Sequence, residues 1–394
     1  MSTGSRWLVL NQSQSPAFQA MLADLARALG PCELVTGMPF PERGEALTVT
    51  PAPSYDRASF RRRATSWLRF AGVAGLHLAR ARNRPFVWAV TNPPMLPHLV
   101  WALSRVRRMR YGLLIWDLYP DHLVQMGWFS ETHPVVRTWN ALNRRAFLGA
   151  EVVITIGDRL ASAIRRQLGA EAWRCRLEVV PNWADTTQFR PLAKETNPFA
   201  RQHGQVGKLT VMYSGNIGAT HGLQGVTGAA RHLSRRSDVH FLVVGDGLGV
   251  GEIRAATEGL DNVTLLPPQP WERLTESLAT GDVAVVSQAP GTEHLSVPSK
   301  TYAALAAGSA ILALTSDDSD LAQLVREQRV GAVYGRDDVA GIAAAIEAWA
   351  EQPALLRGMR AQARLAAERL YSHEAARERL RDLLAPCVRG AGSG

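Results

Sequence analysis

A single lysine stands where this sequence could bind a phosphate group. The chain has 44 basic residues, and only Lys194, Lys208 and Lys300 are lysines. Lys300 follows Ser299 directly before an apolar run typical of a helix, and a helix start offers unpaired N–H groups and a positive dipole end. A lysine ammonium is a compact point charge that suits a phosphate. The alternative is an N-cap serine followed by an ordinary surface lysine.

Two glycine-containing turns follow predicted strands in the same half of the chain. One is Gly215-Asn216-Ile217-Gly218, and the other is Gly245-Asp246-Gly247. Glycine lets backbone amides approach an anion, and the carboxyl ends of parallel strands share one edge of a sheet. Together with Pro298-Ser299-Lys300-Thr301 after a third strand, these turns predict a pocket for a nucleotide diphosphate.

Other kinds of site lack the spacing that their chemistry requires. A dinucleotide fingerprint fails because Val250 occupies the position of the third glycine, and no Walker G-K-S/T sequence occurs. The ten histidines show no metal-ligand spacing, and Cys32, Cys175 and Cys387 lie far apart. We therefore expect no metal and no cofactor. Asp318-Ser319-Asp320 is expected to be a loop and helix N-cap.

Positive charge is concentrated in the first half of the chain. The net charge is +9, and one predicted helix carries Arg61, Arg62 and Arg63 beside Trp67. Basic residues interleaved with aromatic ones are typical of a helix that lies on an anionic membrane surface. Nucleic-acid binding and an ordinary solvated helix face are the alternatives, and we expect no nucleic acid as a partner.

Length and pattern predict two domains. Strands alternating with helices in both halves indicate two mainly parallel, doubly wound sheets, and 394 residues fit two cores better than one. The expected domains cover 1–185 and 208–371, with a polar linker over 186–207 and a disordered tail over 389–394. Separated cysteines, no visible signal peptide and no apolar run of about 20 residues favour a cytoplasmic protein, free or bound at a membrane surface.

An ordered series of motifs resembles the family-4 glycosyltransferases with the GT-B fold. In the second half it runs through Tyr213–Gly218, His221-Gly222-Leu223, Val244–Gly247, Asn262-Val263, Asp282-Val283, Val297–Lys300 and Ala306-Ala307-Gly308. In the first half it includes Thr91–Pro94, Trp116–Asp121 and Val180–Asp185. The resemblance covers most of the chain and is closest to the subgroup that makes bacterial surface polysaccharides.

The resemblance implies a fold, a reaction and partners. The fold is two Rossmann-like domains facing each other across a cleft, with a helix over 372–388 closing back onto the first. The reaction is sugar transfer from a nucleotide-diphosphate sugar, with UDP preferred to GDP, to a polyprenyl-diphosphate-linked or glycan acceptor. Retention of configuration without a divalent metal is implied, and the nucleotide sugar is a substrate, not a cofactor. The protein would lie in the cytoplasm, peripheral at the inner face of the plasma membrane.

This reaction gives individual residues their expected roles. Lys300 and helix-start amides would stabilise the charge that develops on the leaving diphosphate. Asp117 or Asp121 would orient the acceptor hydroxyl or accept its proton, and Arg61, Arg62, Arg63 and Trp67 would face acceptor and membrane. The expected donor-binding residues are Gly215, Asn216, Gly218, His221, Gly245, Asp246, Gly247, Glu293, His294, Ser296, Ser299, Lys300 and Thr301.

The chain departs from the family pattern at four charged positions. Two glutamates that span the lysine loop in many relatives are Leu295 and Ala303 here, and a diphosphate-clamping arginine and lysine are Asn216 and His221. Lys300 and the helix-start amides would then have to neutralise most of the diphosphate charge. A sugar-nucleotide epimerase or hydrolase of the same fold, and a non-catalytic module that binds a membrane or nucleic acid, remain open alternatives.

Overall fold

The structure is a computed structural model that describes residues 7–40, 46–56, 58–81, 84–218, 222–289, 291 and 297–390. The chain divides into two units, one formed by Met1–Pro181 with Ala376–Gly394 and the other by Asn182–Ala375. Each unit is built on its own parallel sheet with flanking helices. The expected fold class of two doubly wound α/β units is therefore confirmed, and the expected cleft stays a prediction.

The first unit has a seven-stranded sheet. Its described strands are β1 (Trp7–Leu10), β2 (Cys32–Thr36), β3 (Leu47–Pro51), β4 (Phe86–Val90), β5 (Tyr111–Ile115), β6 (Val152–Thr155) and β7 (Leu177–Val179). Its helices are α1 (Pro16–Leu29), α2 (Phe60–Arg80), α3 (Leu96–Arg107), α4 (Asp121–Gln125), α5 (Pro134–Gly149) and α6 (Asp158–Leu168). The strand order is β3-β2-β1-β4-β5-β6-β7. Successive strands are added on one side up to β3 and on the other side from β4, so β1 and β4 flank the switch point, where open α/β sheets bind ligands.

The second unit has a six-stranded sheet. Its described strands are β8 (Leu209–Ser214), β9 (Val239–Val244), β10 (Val263–Leu266), β11 (Val283–Ser287), β12 (Ala310–Leu314) and β13 (Gly331–Tyr334). Its helices are α7 (Pro198–Gln202), α8 (Gln224–His232), α9 (Val250–Ala256), α10 (Leu274–Thr280), α11 (Lys300–Ala306), α12 (Asp320–Gln328), α13 (Val339–Glu351) and α14 (Pro353–Leu370). The order β10-β9-β8-β11-β12-β13 reverses between β8 and β11. The turn at Gly215 and the loop before Lys300 follow those two strands.

Continuous apolar runs define the central strands. All five residues of β4, β5 and β12 are buried, as expected for parallel strands that are covered on both faces by helices. Side-chain caps fix several helix starts, since Ser15 Oγ accepts from the Phe18 amide and Ser319 Oγ accepts from the Ala322 amide. The expected N-cap at Ser319 is thus confirmed.

Residues 186–207, expected to be a linker, pack against the second sheet. Phe199 in α7 is fully buried in an apolar cluster with residues of β8 and β9. The guanidinium of Arg364 in α14 donates to the carbonyl oxygens of Thr186 and Phe189 at 3.0 and 2.8 Å. Side-chain hydrogen bonds to its backbone hold this polar segment in place. Such bonds leave no periodic pattern in the sequence, so the packing could not be predicted from it.

The last helix, α15 (His373–Arg389), begins in the second unit and belongs to the first from Ala376 onward. It buries Leu380 and Leu384. Residues 391–394 of the expected tail lie outside the described residues. Within the described ranges, no helix combines the length and the apolar character that crossing a membrane requires.

Candidate active site

Lys300 is the first residue of α11, and its amine is buried at the carboxyl edge of the second sheet. The Nζ atom is buried and has no hydrogen-bond partner in the described part of the chain. It lies 3.8 Å from the centre of the Tyr213 ring, and a Cβ built on Gly215 would be 3.4 Å from it. Burial lowers the pKa of this amine to about 8. The surface-lysine alternative is therefore wrong.

Lys194 shows how this fold satisfies a buried amine that has a structural role. Its Nζ donates to the Lys208 carbonyl at 2.7 Å, to Thr210 Oγ1 at 2.8 Å and to the Asp282 carboxylate. Asp282 also pairs with Arg360 at 2.7 Å. Buried polar groups are normally paired in this way, so an unpaired one calls for a reason such as a missing ligand. Lys300 is such a case.

The two glycine turns pack against each other. A Cβ on Gly245 would lie 1.9 Å from the Gly215 carbonyl oxygen, and one on Gly247 would lie 2.4 Å from the Ile217 carbonyl oxygen. The Ile217 amide donates to the Asp246 carbonyl at 2.8 Å. Glycine is required at 245 and 247 because the neighbouring turn leaves no room for a side chain.

Most backbone amides expected to hold an anion are already engaged. The Gly215 amide donates to the Val244 carbonyl at 2.9 Å, and the Gly245 amide donates to the Leu266 carbonyl at 3.0 Å. The Thr301 amide donates to the Pro298 carbonyl at 3.0 Å. These three N–H groups are therefore already paired in the described structure, since each carries a single hydrogen to donate. Phosphate binding by the other amides of these turns stays a prediction, and the Lys300 amine is the cationic group beside them.

The other residues of the lysine loop and of the turn after β9 differ in their environments. Asp246 is exposed, and its carboxylate accepts from the Gly247 amide at 2.7 Å. Thr301 is fully buried, and its Oγ1 atom has no partner among the described residues. Ala303 packs against a core cluster at the position of a family glutamate, and Ser299 precedes α11 without a side-chain cap bond. His221, Glu293, His294, Leu295 and Ser296 lie outside the described residues.

Asp117 follows β5 on the switch-point side of the first unit. Its backbone N–H lies 3.3 Å from Thr91 Oγ1, to which it donates, and this ties the turn to the loop after β4. The side chain is exposed, but the protein packed around the carboxyl desolvates it and raises its pKa, with His122 acting in the opposite direction. A reachable carboxyl with a raised pKa suits a general base.

Asp121 has a different environment, as the first residue of α4. Its carboxylate accepts from Gln167 Nε2 at 2.6 Å, and Gln167 Oε1 accepts from Asn143 Nδ2 at 3.2 Å. Asn143 also donates to the Tyr119 carbonyl at 2.6 Å and pairs with His98 Nε2 at 2.8 Å. Burial raises the pKa of Asp121. These bonds indicate that Asp121 anchors α4 to α5 and α6, so Asp117 is the better candidate base.

The basic helix α2 exposes some of its expected binding residues and buries others. Arg61 and Arg62 are exposed, as expected for a surface-binding face. Trp67 is buried, with its ring stacked on Tyr55 at 6.2 Å and edge-on to Tyr119 at 6.1 Å. The buried Trp67 ring therefore does not face a membrane surface, and its expected contact with the acceptor stays a prediction.

Arg63 also differs from its two neighbours in sequence. It is half-buried, and its Nε atom has no partner in the described ranges. Burial, followed by the Asp117 charge, raises the pKa of Tyr119 to about 12, while the Arg63 charge lowers it. The Arg63 charge thus acts on the Tyr119 hydroxyl, and the expected contact of Arg63 with the acceptor stays a prediction.

The fold and these two sites define a class of protein. The structure of HepE from Anabaena in complex with UDP matches with a TM-score of 0.69 at 16% identity, covering 96% of this chain and 99% of that one. HepE has also been solved with UDP-glucose. The chain has the GT-B glycosyltransferase fold.

Sequence comparison relates the second unit to a family of enzymes. Residues 208–352 match the model of the glycosyl transferases group 1. A protein of Pseudomonas aeruginosa named probable glycosyltransferase WbjE is 26% identical over 64% of this chain and 63% of its own length. The colanic acid biosynthesis glycosyl transferase WcaI of Escherichia coli is 28% identical over 56% of this chain and 55% of its own length. The match thus spans less than two thirds of the length of either relative.

Proposed function

We propose that the chain transfers a sugar from a nucleotide-diphosphate sugar, with UDP preferred to GDP, to a lipid-linked or glycan acceptor in bacterial surface-polysaccharide synthesis. The observation that carries this proposal is the buried, unpartnered Lys300 amine beside Gly215. A diphosphate would supply the countercharge that the described residues do not provide. The group 1 domain match, the UDP complex of HepE and the name of WcaI support the choice of donor and pathway.

In this proposal Lys300 acts on the leaving group. Breaking the bond between sugar and diphosphate leaves growing negative charge on the phosphate oxygens, through a transition state with oxocarbenium character. An ammonium held in a desolvated site stabilises that charge more strongly than one in water. The stacking of the Lys300 side chain on Tyr213 holds the amine in place before the donor arrives. We propose retention of configuration without a divalent metal.

Asp117 is the proposed partner of the acceptor hydroxyl. Asp117 is exposed after β5, the strand next to β4, and its backbone N–H donates to the Thr91 hydroxyl. Desolvation raises its pKa toward the range in which a carboxylate is an effective base. Asp121, committed to Gln167, would shape the loop and leave the proton to Asp117.

The outer face of α2 is the proposed contact with the membrane that holds a lipid-linked acceptor. It exposes Arg61, Arg62 and Arg69 together with Leu68 and Leu76, whose side chains are 65% and 51% accessible. Exposed leucines beside arginines suit the headgroup region of an anionic bilayer. The protein would then act as a peripheral protein at the inner face of the plasma membrane.

An acceptor-dependence assay tests the proposed reaction. The chain is incubated with UDP-glucose, UDP-galactose, UDP-N-acetylglucosamine or GDP-mannose, with and without polyprenyl-diphosphate-linked sugars extracted from bacterial membranes. Release of nucleoside diphosphate only with the extract, undiminished by EDTA, is expected. Release without any acceptor would indicate a hydrolase and contradict transfer. Absence of both release and nucleotide binding would contradict any sugar-nucleotide enzyme.

A further inference from the structure

Arg336 brings a second cation to the glycine turn of the second unit. It follows β13, and its side chain lies against Gly222, where a built Cβ would be 3.1 Å from both Cδ and Nη1 and 3.5 Å from Cζ. Its guanidinium forms no hydrogen bond or ion pair with any described residue. Nearby Asp338 forms no ion pair with it among the described contacts, and that carboxylate accepts from the Gly341 amide at the start of α13. Arg336 is half-buried and unpaired.

The backbone of Arg336 is fixed by glycines on α8. The Gly225 amide donates to the Arg336 carbonyl at 3.1 Å, and a Cβ on Gly225 would lie 2.2 Å from that oxygen. A Cβ on Gly228, one turn further along, would lie 2.6 Å from Val339. Only glycine at these positions allows the segment 336–339 to lie so close to α8. Close packing against Gly225 and Gly228 thus places Arg336 beside the first turn of α8.

Lys300 and Arg336 flank one turn from its two ends. Lys300 lies at Gly215, where the turn leaves β8, and Arg336 lies at Gly222, where it enters α8. The described residues of the turn carry no cationic side chain of their own. Two cations without a partner among the described residues, one beside Gly215 and one beside Gly222, match a ligand with two adjacent anionic groups.

We propose that Arg336 is a second diphosphate-binding residue, which contacts the donor phosphate with its planar guanidinium while Lys300 contacts it as a point charge. This proposal rests on the proposed function and names a residue that acts in the same donor site. A guanidinium presents parallel N–H donors that match two phosphate oxygens, and such charge-assisted bonds are about twice as strong as neutral ones. The contribution should therefore depend on the phosphates and not on the nucleoside.

Calorimetric titration with UDP and with uridine separates these contributions. Arg336→Gln is expected to weaken UDP binding at least tenfold and to leave uridine binding within twofold of the wild type. Arg336→Lys, which keeps the charge without the planar fork, is expected to recover part of the loss. Arg357→Gln removes an exposed arginine from α14 of the same unit and is the matched control with unchanged affinity.

Each outcome supports or overturns the inference. If the wild type binds UDP and Arg336→Gln binds it equally well, the inference is wrong while the proposed function stands. An equal loss of UDP and uridine affinity would mean that Arg336 has a packing role, and this would also overturn the inference. Thermal unfolding of Arg336→Gln and of Arg336→Met shows whether each variant keeps the fold. If the wild type binds neither UDP nor GDP, the proposed function itself fails.

Discussion

The Lys300 amine lies 3.8 Å from the centre of the Tyr213 ring, and the Tyr213 hydroxyl donates to the Asn216 carbonyl at 2.7 Å. The aromatic face offers the ammonium a cation–π contact of about 1–2 kcal/mol. This contact does not replace the lost hydration, because burial still lowers the pKa of the amine to about 8. The free site therefore contains a charge that a bound anion would stabilise.

Replacing Lys300 with methionine is expected to stabilise the free protein. With a folded pKa of about 8 and a usual value of 10.5, the unfolded state holds this proton more tightly. The buried charge therefore lowers the free energy of unfolding by its full amount below pH 8, and this destabilisation disappears as pH rises toward 10.5. Lys300→Met should raise the free energy of unfolding in urea by on the order of 2 kcal/mol at pH 7, and by less at pH 10. Lys208→Met is the control, and a less stable Lys300→Met would contradict the expectation.

Donor affinity is expected to fall at alkaline pH. A diphosphate binds the protonated amine, so UDP affinity should be constant below pH 8 and should decrease by up to tenfold per pH unit above it. Calorimetry between pH 7 and 9.5 measures this break. In Lys300→Arg the guanidinium stays charged, so whatever affinity remains should not change over this range. A break of equal size in that variant would assign the titration to another group.

The two loop aspartates are expected to differ in kinetics. Asp117→Asn removes the proposed base and should lower kcat by about a hundredfold or more without changing UDP affinity. Asp121→Asn keeps an oxygen that can accept from Gln167 and should lower kcat by less than about tenfold. The acid limb of the wild-type profile should lie above the pH expected for an ordinary aspartate, because the pKa of Asp117 is raised. Equal losses in the two variants would contradict the separate roles.

The buried amides beneath the Asp117 loop are expected to act together. Asn143 is fully bonded to His98, Tyr119 and Gln167, so Asn143→Leu leaves several polar partners buried and should lower the free energy of unfolding by about 2–4 kcal/mol. Gln167→Met removes the link to Asp121. A double-mutant cycle in urea should give a coupling of about 1 kcal/mol. Additive losses would show that the two amides act independently.

Membrane binding is expected to depend on the exposed arginines of α2. Changing Arg61, Arg62 and Arg69 to glutamine should weaken binding to phosphatidylglycerol vesicles roughly a hundredfold at low salt, at about 1 kcal/mol for each charge. The dependence on salt should also decrease. The control replaces Arg201, Arg254 and Arg357, which are exposed on the second unit, with the same change in net charge. Equal sedimentation of both triple variants would restore an ordinary solvated face for α2.

Local sequence predicted the fold and the position of Lys300 for the same reason. Buried strands such as β4 and β12 are continuous apolar runs between turn residues, and Lys300 follows such a strand at the start of a helix. The edge strand β3 escaped prediction because Leu47–Pro51 mixes threonines with a terminal proline. An edge strand is half-exposed, so it need not carry a continuous apolar run.

Contacts between distant segments were beyond the reach of local pattern. The sequence suggested free amides at Gly215 and Gly245, but strands β9 and β10 supply carbonyls that engage them. Nothing near Arg336 in sequence marks it as a partner of Gly222, since the contact depends on how α8 packs against the segment after β13. Such contacts follow from tertiary packing, which single-sequence periodicity does not contain.

The most direct test of the central claim is the affinity of UDP for the wild type and for Lys300→Met at pH 7, with uridine as the reference ligand. Wild-type binding, a loss of at least tenfold in UDP affinity in the variant, and unchanged uridine affinity are predicted, because the proposed contact joins the unpartnered amine to the diphosphate. Equal UDP affinity in the two proteins, with the variant folded, would contradict the role of Lys300 as the anchor of the donor.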